Sequence, residues 1–216
     1  PAGRFATEES VPDLVDDDEP ALGPATELFT ESIRTIISRN QSPDIPFEQS
    51  VNPYRGCEHG CVYCYARPSH AYLDLSPGLD FEQKIFFKPD AAKVLRGELS
   101  KRGYRCSPIT LGSNTDAWQP VERTLGITRQ ILEVLAEFRH PVNIITKSAL
   151  VERDIDLLQD LARDNLADVL VSVTTLDDEL KRRLEPRTAG PRRRLDTIRR
   201  LSAAGIPCGV LAAPMI

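Results

Sequence analysis

The chain has 216 residues, enough for one domain with a sizeable core, and its formal net charge is −5. This acidic balance argues against a general affinity for nucleic acid, and no apolar run approaches the roughly 18–20 residues that a membrane-spanning helix needs. The amino-terminal residues lack the basic-then-apolar pattern of a signal peptide, so we expect a soluble cytoplasmic protein with no membrane partner.

Residues 1 to about 44 differ in composition from the remainder of the chain. They combine prolines with clustered carboxylates and contain few apolar side chains. Such a segment buries too little surface to offset its chain entropy, so the sequence predicts that it is disordered. Within it, Glu27 to Ser38 has enough apolar residues to form a short helix or strand against the body. The predicted folded domain then covers residues 45–216.

Beyond residue 44 the predicted elements largely alternate between strands and helices. Strands are predicted over residues 47–54, 84–88, 108–113, 142–146, 168–174 and 206–216. Helices are predicted over residues 61–72, 90–103, 124–140, 154–165 and 191–204. This alternation predicts an α/β fold with a parallel sheet wound right-handed, and leaves a barrel and a doubly wound open sheet as alternatives. Because the chain stops in apolar residues, we expect the fold to be truncated at its carboxyl end.

The first predicted strand leads into a short cysteine-rich loop. Three of the five cysteines lie within eight residues, spaced C-x3-C-x2-C: Cys57, Cys61 and Cys64. Thiolates at this spacing can converge on one soft metal centre, and Gly56 and Gly60 let the backbone fold back between them. A structural zinc site would need a fourth ligand, for which His59 is a cramped candidate. Three thiolates alone leave one corner of an iron–sulfur cluster open.

A resemblance to a known family is carried by the residues that flank these cysteines. The stretches Asn52-Pro53-Tyr54-Arg55-Gly56-Cys57 and Cys64-Tyr65-Ala66 resemble the spore-photoproduct-lyase-like branch of the radical S-adenosylmethionine (SAM) superfamily. The resemblance implies that Cys57, Cys61 and Cys64 bind a [4Fe–4S] cluster whose fourth iron is chelated by SAM. It also implies a partial (β/α)6 barrel of the TIM type and an electron donor such as a flavodoxin or ferredoxin.

The reaction that this resemblance implies is reductive cleavage of SAM to a 5′-deoxyadenosyl radical, which abstracts hydrogen from a substrate that the sequence does not identify. Tyr63 lies where the family packs an aromatic ring beside adenine, and Tyr65 is the candidate catalytic residue. Further candidate contacts with SAM follow the next predicted strands, where parallel α/β folds place their working groups: Ser113, Thr115, Lys147, Ser172 and Thr174. Each of these five would serve equally well in a turn or as a strand-end cap.

One position departs from the pattern of the photoproduct lyases. Those enzymes have a hydrogen-donor cysteine just after the second strand, in a stretch that aligns with residues 112–116. Ser113 occupies that place here, and the O–H bond of a hydroxyl is too strong to donate hydrogen readily. We therefore expect a related enzyme of unknown substrate rather than a thymine photoproduct lyase.

A basic stretch follows the fourth predicted strand–helix unit. Nine of the 27 Lys and Arg residues lie within residues 181–200, and they indicate either a solvated helix face or a surface for a nucleic-acid backbone. Inside this stretch, Glu185-Pro186-Arg187 resembles a short motif of the same branch and is either a buried Glu–Arg pair or surface charge. The alternative to a radical SAM enzyme is a zinc-stabilised nucleic-acid-binding module without catalysis.

Overall fold

The structure is a computed structural model, and it describes residues 25–215. Its strands are β1 (Glu27–Thr30), β2 (Ile37–Arg39), β3 (Gln49–Val51), β4 (Tyr54–Arg55), β5 (Lys84–Phe87), β6 (Ile109–Leu111), β7 (Val142–Thr146), β8 (Ala167–Ser172) and β9 (Cys208–Leu211). Its α-helices are α1 (Leu79–Gln83), α2 (Ala91–Leu99), α3 (Glu122–Leu125), α4 (Ile127–Glu137), α5 (Ile155–Ala162), α6 (Asp178–Leu184) and α7 (Pro191–Ala203). Two 3-10 helices cover Arg67–Leu73 and Ala149–Asp154.

The larger of two sheets organises the molecule. Its strands β3, β6, β7, β8 and β9 are parallel and lie side by side in the order of the chain. The antiparallel strand β2 borders β3, and a smaller sheet has the order β1-β5-β4. Among the described strands the order of the larger sheet does not reverse, as it would in a doubly wound sheet. The carboxyl ends of its five parallel strands therefore lie along one edge.

Helices cover one face of the larger sheet. In β7, Val142 and Ile144 are fully buried, whereas Asn143 and Ile145 between them are only partly buried. The buried strand residues form one hydrophobic cluster with side chains from α4, α5 and α7. Because successive residues of a strand point to opposite faces, the other face of the sheet is more open at β7 and β8, whereas all residues of β3 and β6 are buried.

The prediction of an α/β fold is confirmed, with mixed rather than wholly parallel sheets. The predicted first helix is wrong: the cysteine segment consists mainly of turns, and only the 3-10 helix Arg67–Leu73 follows it. The second predicted helix ends at Leu99 instead of reaching Gly103. No helix in the described range is long and apolar enough to cross a lipid bilayer.

The predicted disorder of residues 1 to about 44 needs correction where the structure describes it. Residues 25–44 contain β1, which pairs with β5, and β2, which pairs with β3. A carboxylate oxygen of Glu98 accepts the backbone N–H groups of Ile36 (2.8 Å) and Ile37 (3.1 Å), so tertiary contacts hold this part of the segment against the body. The stretch from Glu27 to Ser38, expected to form a short helix or strand, contributes strands. Residues 1–24 lie outside the described range.

Candidate metal and cofactor site

The three clustered cysteines lie in the loop that leaves the carboxyl edge of the larger sheet. Cys57 and Cys61 are buried, Cys64 is half-buried, and all three are free thiols. Gly56 and Gly60 have φ angles of +81° and +67°. A Cβ atom would clash with Ile85 and the Phe81 carbonyl at the first glycine and with the Arg187 guanidinium at the second. Both glycines are therefore required by the path of the loop, as predicted.

Gln119 and Glu58 fix the first half of this loop. Gln119 donates from Nε2 to the carbonyl of Gly56 (3.2 Å) and accepts the backbone N–H of Glu58 at Oε1 (2.9 Å). The Glu58 carboxylate in turn accepts the backbone N–H of Val121 (2.5 Å) and the hydroxyl of Thr26 (2.8 Å). These bonds join the loop to the segment that follows β6.

Two arginines fix the second half. Arg67 donates from Nε to the carbonyl of Cys61 (3.0 Å), and Arg187 donates from Nε to the carbonyl of Glu58. Both guanidinium groups form ion pairs with the Glu82 carboxylate. Since all these groups are largely buried, the loop is held in one conformation by charge-assisted bonds.

Asp116 is a buried carboxylate beside the cysteine loop. It accepts the backbone N–H groups of Trp118 (2.9 Å) and Lys147 (2.8 Å) and the hydroxyl of Thr146 (2.8 Å), and its Oδ2 lies 3.4 Å from Nδ1 of His59. Burial alone would raise the pKa of Asp116, but His59 and the donors outweigh it and hold the pKa at about 2. His59 is therefore engaged with a carboxylate.

The three free thiols on one loop are the donor set that an iron–sulfur cluster with one open iron requires. One tetrahedral zinc would need a fourth ligand, and the nearby His59 is engaged with Asp116. Within residues 25–215 no group of three or more Cys, His, Asp or Glu is placed to hold one metal ion. Burial raises the pKa of Cys61 to about 12 and that of Cys57 well above its ordinary value, so ligation must displace their protons.

Three of the predicted SAM contacts meet around Glu185. The hydroxyl of Tyr63 donates to Glu185 Oε1, which also accepts the hydroxyl of Thr174 (3.1 Å). The ammonium of Lys147 lies 5.8 Å from the centre of the Tyr63 ring. The carboxyl edge of the sheet thus brings together an aromatic ring, a cation and a hydroxyl from three separate loops.

Glu185 itself belongs to a buried ion pair. Its Oε2 contacts the guanidinium of Arg194, and both side chains are 1% exposed. Arg194 also donates to the carbonyl of Ser172 (2.8 Å) at the end of β8. Burial would raise the pKa of Glu185, but the Arg194 charge helps to lower it below its usual range. The buried Glu–Arg pair exists with Arg194 as the partner, because Arg187 turns to Glu82.

The remaining predicted residues are more dispersed. Tyr65 is 76% exposed, and its hydroxyl donates to the carbonyl of the half-buried Ser113. Thr115 is buried, and its hydroxyl donates to the carbonyl of Tyr54 (3.0 Å). Thr115 therefore ties its own loop to the cysteine segment, a placement that does not favour it as a cofactor contact. Ser172 is buried at the end of β8.

The basic stretch of residues 181–200 is not one continuous charged surface. Three of its nine cations are buried: Lys181, Arg187 and Arg194. Three more pair with carboxylates: Arg193 and Arg200 with Glu152, and Arg199 with Asp196. Arg199 and Arg200 are exposed although they are paired, and the remaining three are also exposed: Arg182, Arg183 and Arg192. The charge available to a phosphate backbone is thus smaller than the sequence indicates.

Of the side chains that hold the cysteine loop, sequence reasoning singled out Arg187 through the Glu185-Pro186-Arg187 motif. Gln119, Arg67 and Glu82 are isolated polar residues with no motif spacing, and several of the groups that they bind lie far away in the chain. Asp116, which ends the polar stretch after β6, was also visible in the sequence.

Comparison with known proteins extends this picture. A family model described as the Radical SAM superfamily matches residues 51–215. An uncharacterized protein of Mycobacterium tuberculosis is 41% identical over 172 residues, which cover 80% of this chain and 51% of the relative. An uncharacterized protein of Methanocaldococcus jannaschii is 27% identical over 166 residues, covering 77% of this chain and 60% of the relative. The chain spans about half the length of the mycobacterial relative.

Solved structures share the fold. Spore photoproduct lyase complexed with dinucleoside spore photoproduct matches with a TM-score of 0.64 and 18% identity, covering 88% of this chain and 52% of that one. A mutant of that lyase with bound AdoMet and the dinucleoside matches with a TM-score of 0.63 and 16% identity, covering 87% and 51%. With the family match covering most of its length and three free thiols on one loop, this chain belongs to the radical SAM superfamily.

Proposed function

We propose that this chain is the radical SAM domain of an enzyme that binds a [4Fe–4S] cluster through Cys57, Cys61 and Cys64 and cleaves SAM reductively. The observation that carries the proposal is the set of three free thiols on one firmly held loop inside the matched family region. When bound, cluster and SAM would supply the one-electron chemistry, and the chain would supply binding, orientation and exclusion of water. The five parallel strands in chain order support a partial (β/α)6 barrel.

Lys147 is the side chain that we propose for the SAM carboxylate. Its ammonium lies 5.8 Å from the centre of the Tyr63 ring, two positions after Cys61. Burial raises the pKa of Cys61, and the Lys147 charge counteracts that effect. An incoming carboxylate beside Cys61 would therefore meet a cation. Tyr63 would present its ring to adenine, since its hydrogen bond to Glu185 fixes the ring beside Lys147.

The substrate is not a thymine photoproduct in this proposal, because Ser113 occupies the position at which the photoproduct lyases that this sequence resembles have their hydrogen-donor cysteine. We propose a different C–H-bearing substrate. Tyr65 is the catalytic residue in this proposal, because it is the exposed aromatic side chain closest in sequence to the cluster ligands. A flavodoxin or ferredoxin is the proposed electron donor. Contact with nucleic acid would depend on the exposed arginines of the basic stretch.

Anaerobic reconstitution with iron and sulfide tests the proposal. We expect about four irons and four sulfides per chain, and 5′-deoxyadenosine after SAM and dithionite are added. Serine variants of Cys57, Cys61 and Cys64 should each lose the cluster. Cys106→Ser is the matched control, because Cys106 is exposed and lies outside the loop. A colourless protein with stoichiometric zinc, or a cluster that survives the three loop variants, would contradict the proposal.

A further inference from the structure

Four polar side chains lie in one row across the face of the larger sheet that is opposite the hydrophobic cluster. The strand register aligns Ser50 of β3 with Thr110 of β6, Thr110 with Asn143 of β7, and Asn143 with Asp168 of β8. The residues that follow them belong to the hydrophobic core on the helix-covered face: Val51, Leu111, Ile144 and Val169. Alternation along the strands therefore turns the row to the opposite face.

The side chains of this polar row lack partners in the described part of the chain. Thr110 is 2% exposed, and its hydroxyl is a buried polar atom without a hydrogen bond. Ser50 is buried, Asn143 and Asp168 are half-buried, and their side chains form no hydrogen bond or ion pair with other residues of the 25–215 range. Burial also raises the pKa of Asp168. Of these four side chains, Thr110 has the hydroxyl that is fully buried without a hydrogen bond. Because buried polar groups are almost always hydrogen-bonded, this hydroxyl and the three unpaired side chains beside it indicate that a further molecule completes the row.

The chemistry of the row defines its ligand. The hydroxyls of Ser50 and Thr110 and the amide oxygen of Asn143 can accept hydrogen bonds, and the ionised carboxylate of Asp168 can only accept. Adjacent strands are about 4.8 Å apart, so Thr110 and Asp168 are separated by about 10 Å. We propose that the polar row is a binding subsite for an organic cation with several N–H donors, such as an ammonium, amidinium or guanidinium group.

The position of the row suggests which end of a ligand it holds. Asp168 precedes Ser172 by four residues in β8, which corresponds to about 13 Å along the strand. A substrate that reacts near Ser172 and Lys147 would extend its far end to the polar row. This assignment to a substrate rests on the proposed function, whereas cation binding itself needs neither cluster nor SAM.

Agmatine, which joins a guanidinium and an ammonium group by four methylenes, is the probe, and N-butylurea is its uncharged counterpart. Titration calorimetry of the full chain should detect agmatine binding and no binding of N-butylurea. Asp168→Asn and Thr110→Val should each weaken agmatine binding about tenfold or more, because charged and buried acceptors are lost. Asp90→Asn, at an exposed position outside the row, should leave the affinity unchanged.

Two further measurements separate a binding role from a structural one. Agmatine should slow carbodiimide labelling of Asp168 and leave that of Asp90 unchanged. Thr110→Val should not lower the melting temperature, since the hydroxyl has no partner to lose. Agmatine binding that is absent, that is unaffected by both row variants, or that disappears in Cys57→Ser would overturn the proposal. Agmatine binding that persists in Cys57→Ser supports it independently of whether that chain can hold a cluster.

Discussion

The buried ion pair between Glu185 and Arg194 allows a quantitative test of how the fold supports the site. Arg194→Leu would leave the Glu185 carboxylate buried without its ion-pair partner and would remove the donor 2.8 Å from the Ser172 carbonyl. Breaking a buried pair from one side costs about 3–5 kcal/mol. We therefore expect Arg194→Leu to lower the free energy of unfolding by about 3–5 kcal/mol.

Arg199→Leu is the matched control on the same helix. Arg199 pairs with Asp196, but its side chain is 77% exposed, and exposed pairs contribute about 0–1 kcal/mol. Urea denaturation followed by circular dichroism, with all variants in the same cluster-loading state, measures both changes, and similar slopes would show that the same surface is exposed on unfolding. Equal losses in the two variants would refute the reasoning.

Acid provides a second arm of the same test. In the wild type, burial acts to raise the pKa of Glu185, but Arg194 and other neighbours lower it. A pKa that is lowered in the folded state contributes stability at pH values above the unfolded-state pKa of about 4.3. That contribution is lost as the pH falls through the folded-state pKa. In Arg194→Leu the pKa should rise, so protonation relieves the unpaired charge. The stability difference from the wild type should therefore shrink between pH 7 and about 4, and a difference that grows would count against the assignment.

Three further predictions follow from the loop and its neighbours. Gly60→Ala should lower the free energy of unfolding by at least about 1 kcal/mol and reduce bound iron, because φ is +67° and the added Cβ would meet a guanidinium. Its control is Gly97→Ala, in α2 with open space around it. That change should raise the free energy of unfolding by about 0.5–1 kcal/mol in the same denaturation assay. The lowered pKa of Asp116, about 2, contributes about 2 kcal/mol of stability at neutral pH, and this contribution is lost as the pH falls from about 4 to 2. In denaturation experiments across this range the free energy of unfolding of Asp116→Asn should approach that of the wild type. A constant difference between the two would contradict the assignment. Lys147→Met should weaken SAM binding in equilibrium dialysis about tenfold or more. The control Lys93→Met, on the exposed side of α2, should leave the affinity for SAM unchanged. Equal affinities in the two variants would show that Lys147 does not contact SAM.

The predictable features were those whose signal is contained in a short stretch of sequence. The strand over residues 142–146 was predicted at its observed bounds, because a β-rich run directly follows Pro141, at which a helix cannot continue. The cysteine spacing likewise predicts a metal site from local sequence alone, since the donor residues and the glycines that turn the loop are adjacent in the chain. The partner of Glu185 could not be read in this way, because Arg187 is nearer to it in sequence than Arg194 and yet is not its partner. The choice between them depends on Glu82, which the fold brings to Arg187.

For strands β1 and β2 the sequence indicated only that Glu27 to Ser38 could form a short helix or strand, and the reason is related. Their apolar residues were visible, but the acidic, proline-containing residues before them dominated the composition of the segment. β1 is exposed along its whole length, and its described strand partner is β5, more than 50 positions later. Stability that comes from pairing with a remote strand leaves little trace in local composition.

The position of the cysteine loop depends on the carboxyl-terminal part of the described chain. The N–H of Val62 donates to the carbonyl of Leu184 (3.0 Å), and the N–H of Arg187 donates to the carbonyl of His59 (3.3 Å). Arg187 and Glu58, also joined by a hydrogen bond, are 129 residues apart. Because these contacts join parts of the chain that are far apart in sequence, the geometry of the loop depends on the folding of the units between them.

This dependence couples metal binding to folding. A ligand that binds only the folded loop stabilises everything that the loop requires, including the segment from Leu184 to Arg187. Arg194 supports the same segment through Glu185. Arg194→Leu should therefore lose bound iron as well as stability. In the wild type the Arg194 guanidinium donates its hydrogen bonds within the described residues to groups other than the three cysteine thiols. Arg199→Leu should retain its iron, because Arg199 pairs on the exposed side of α7 and contributes nothing to that segment.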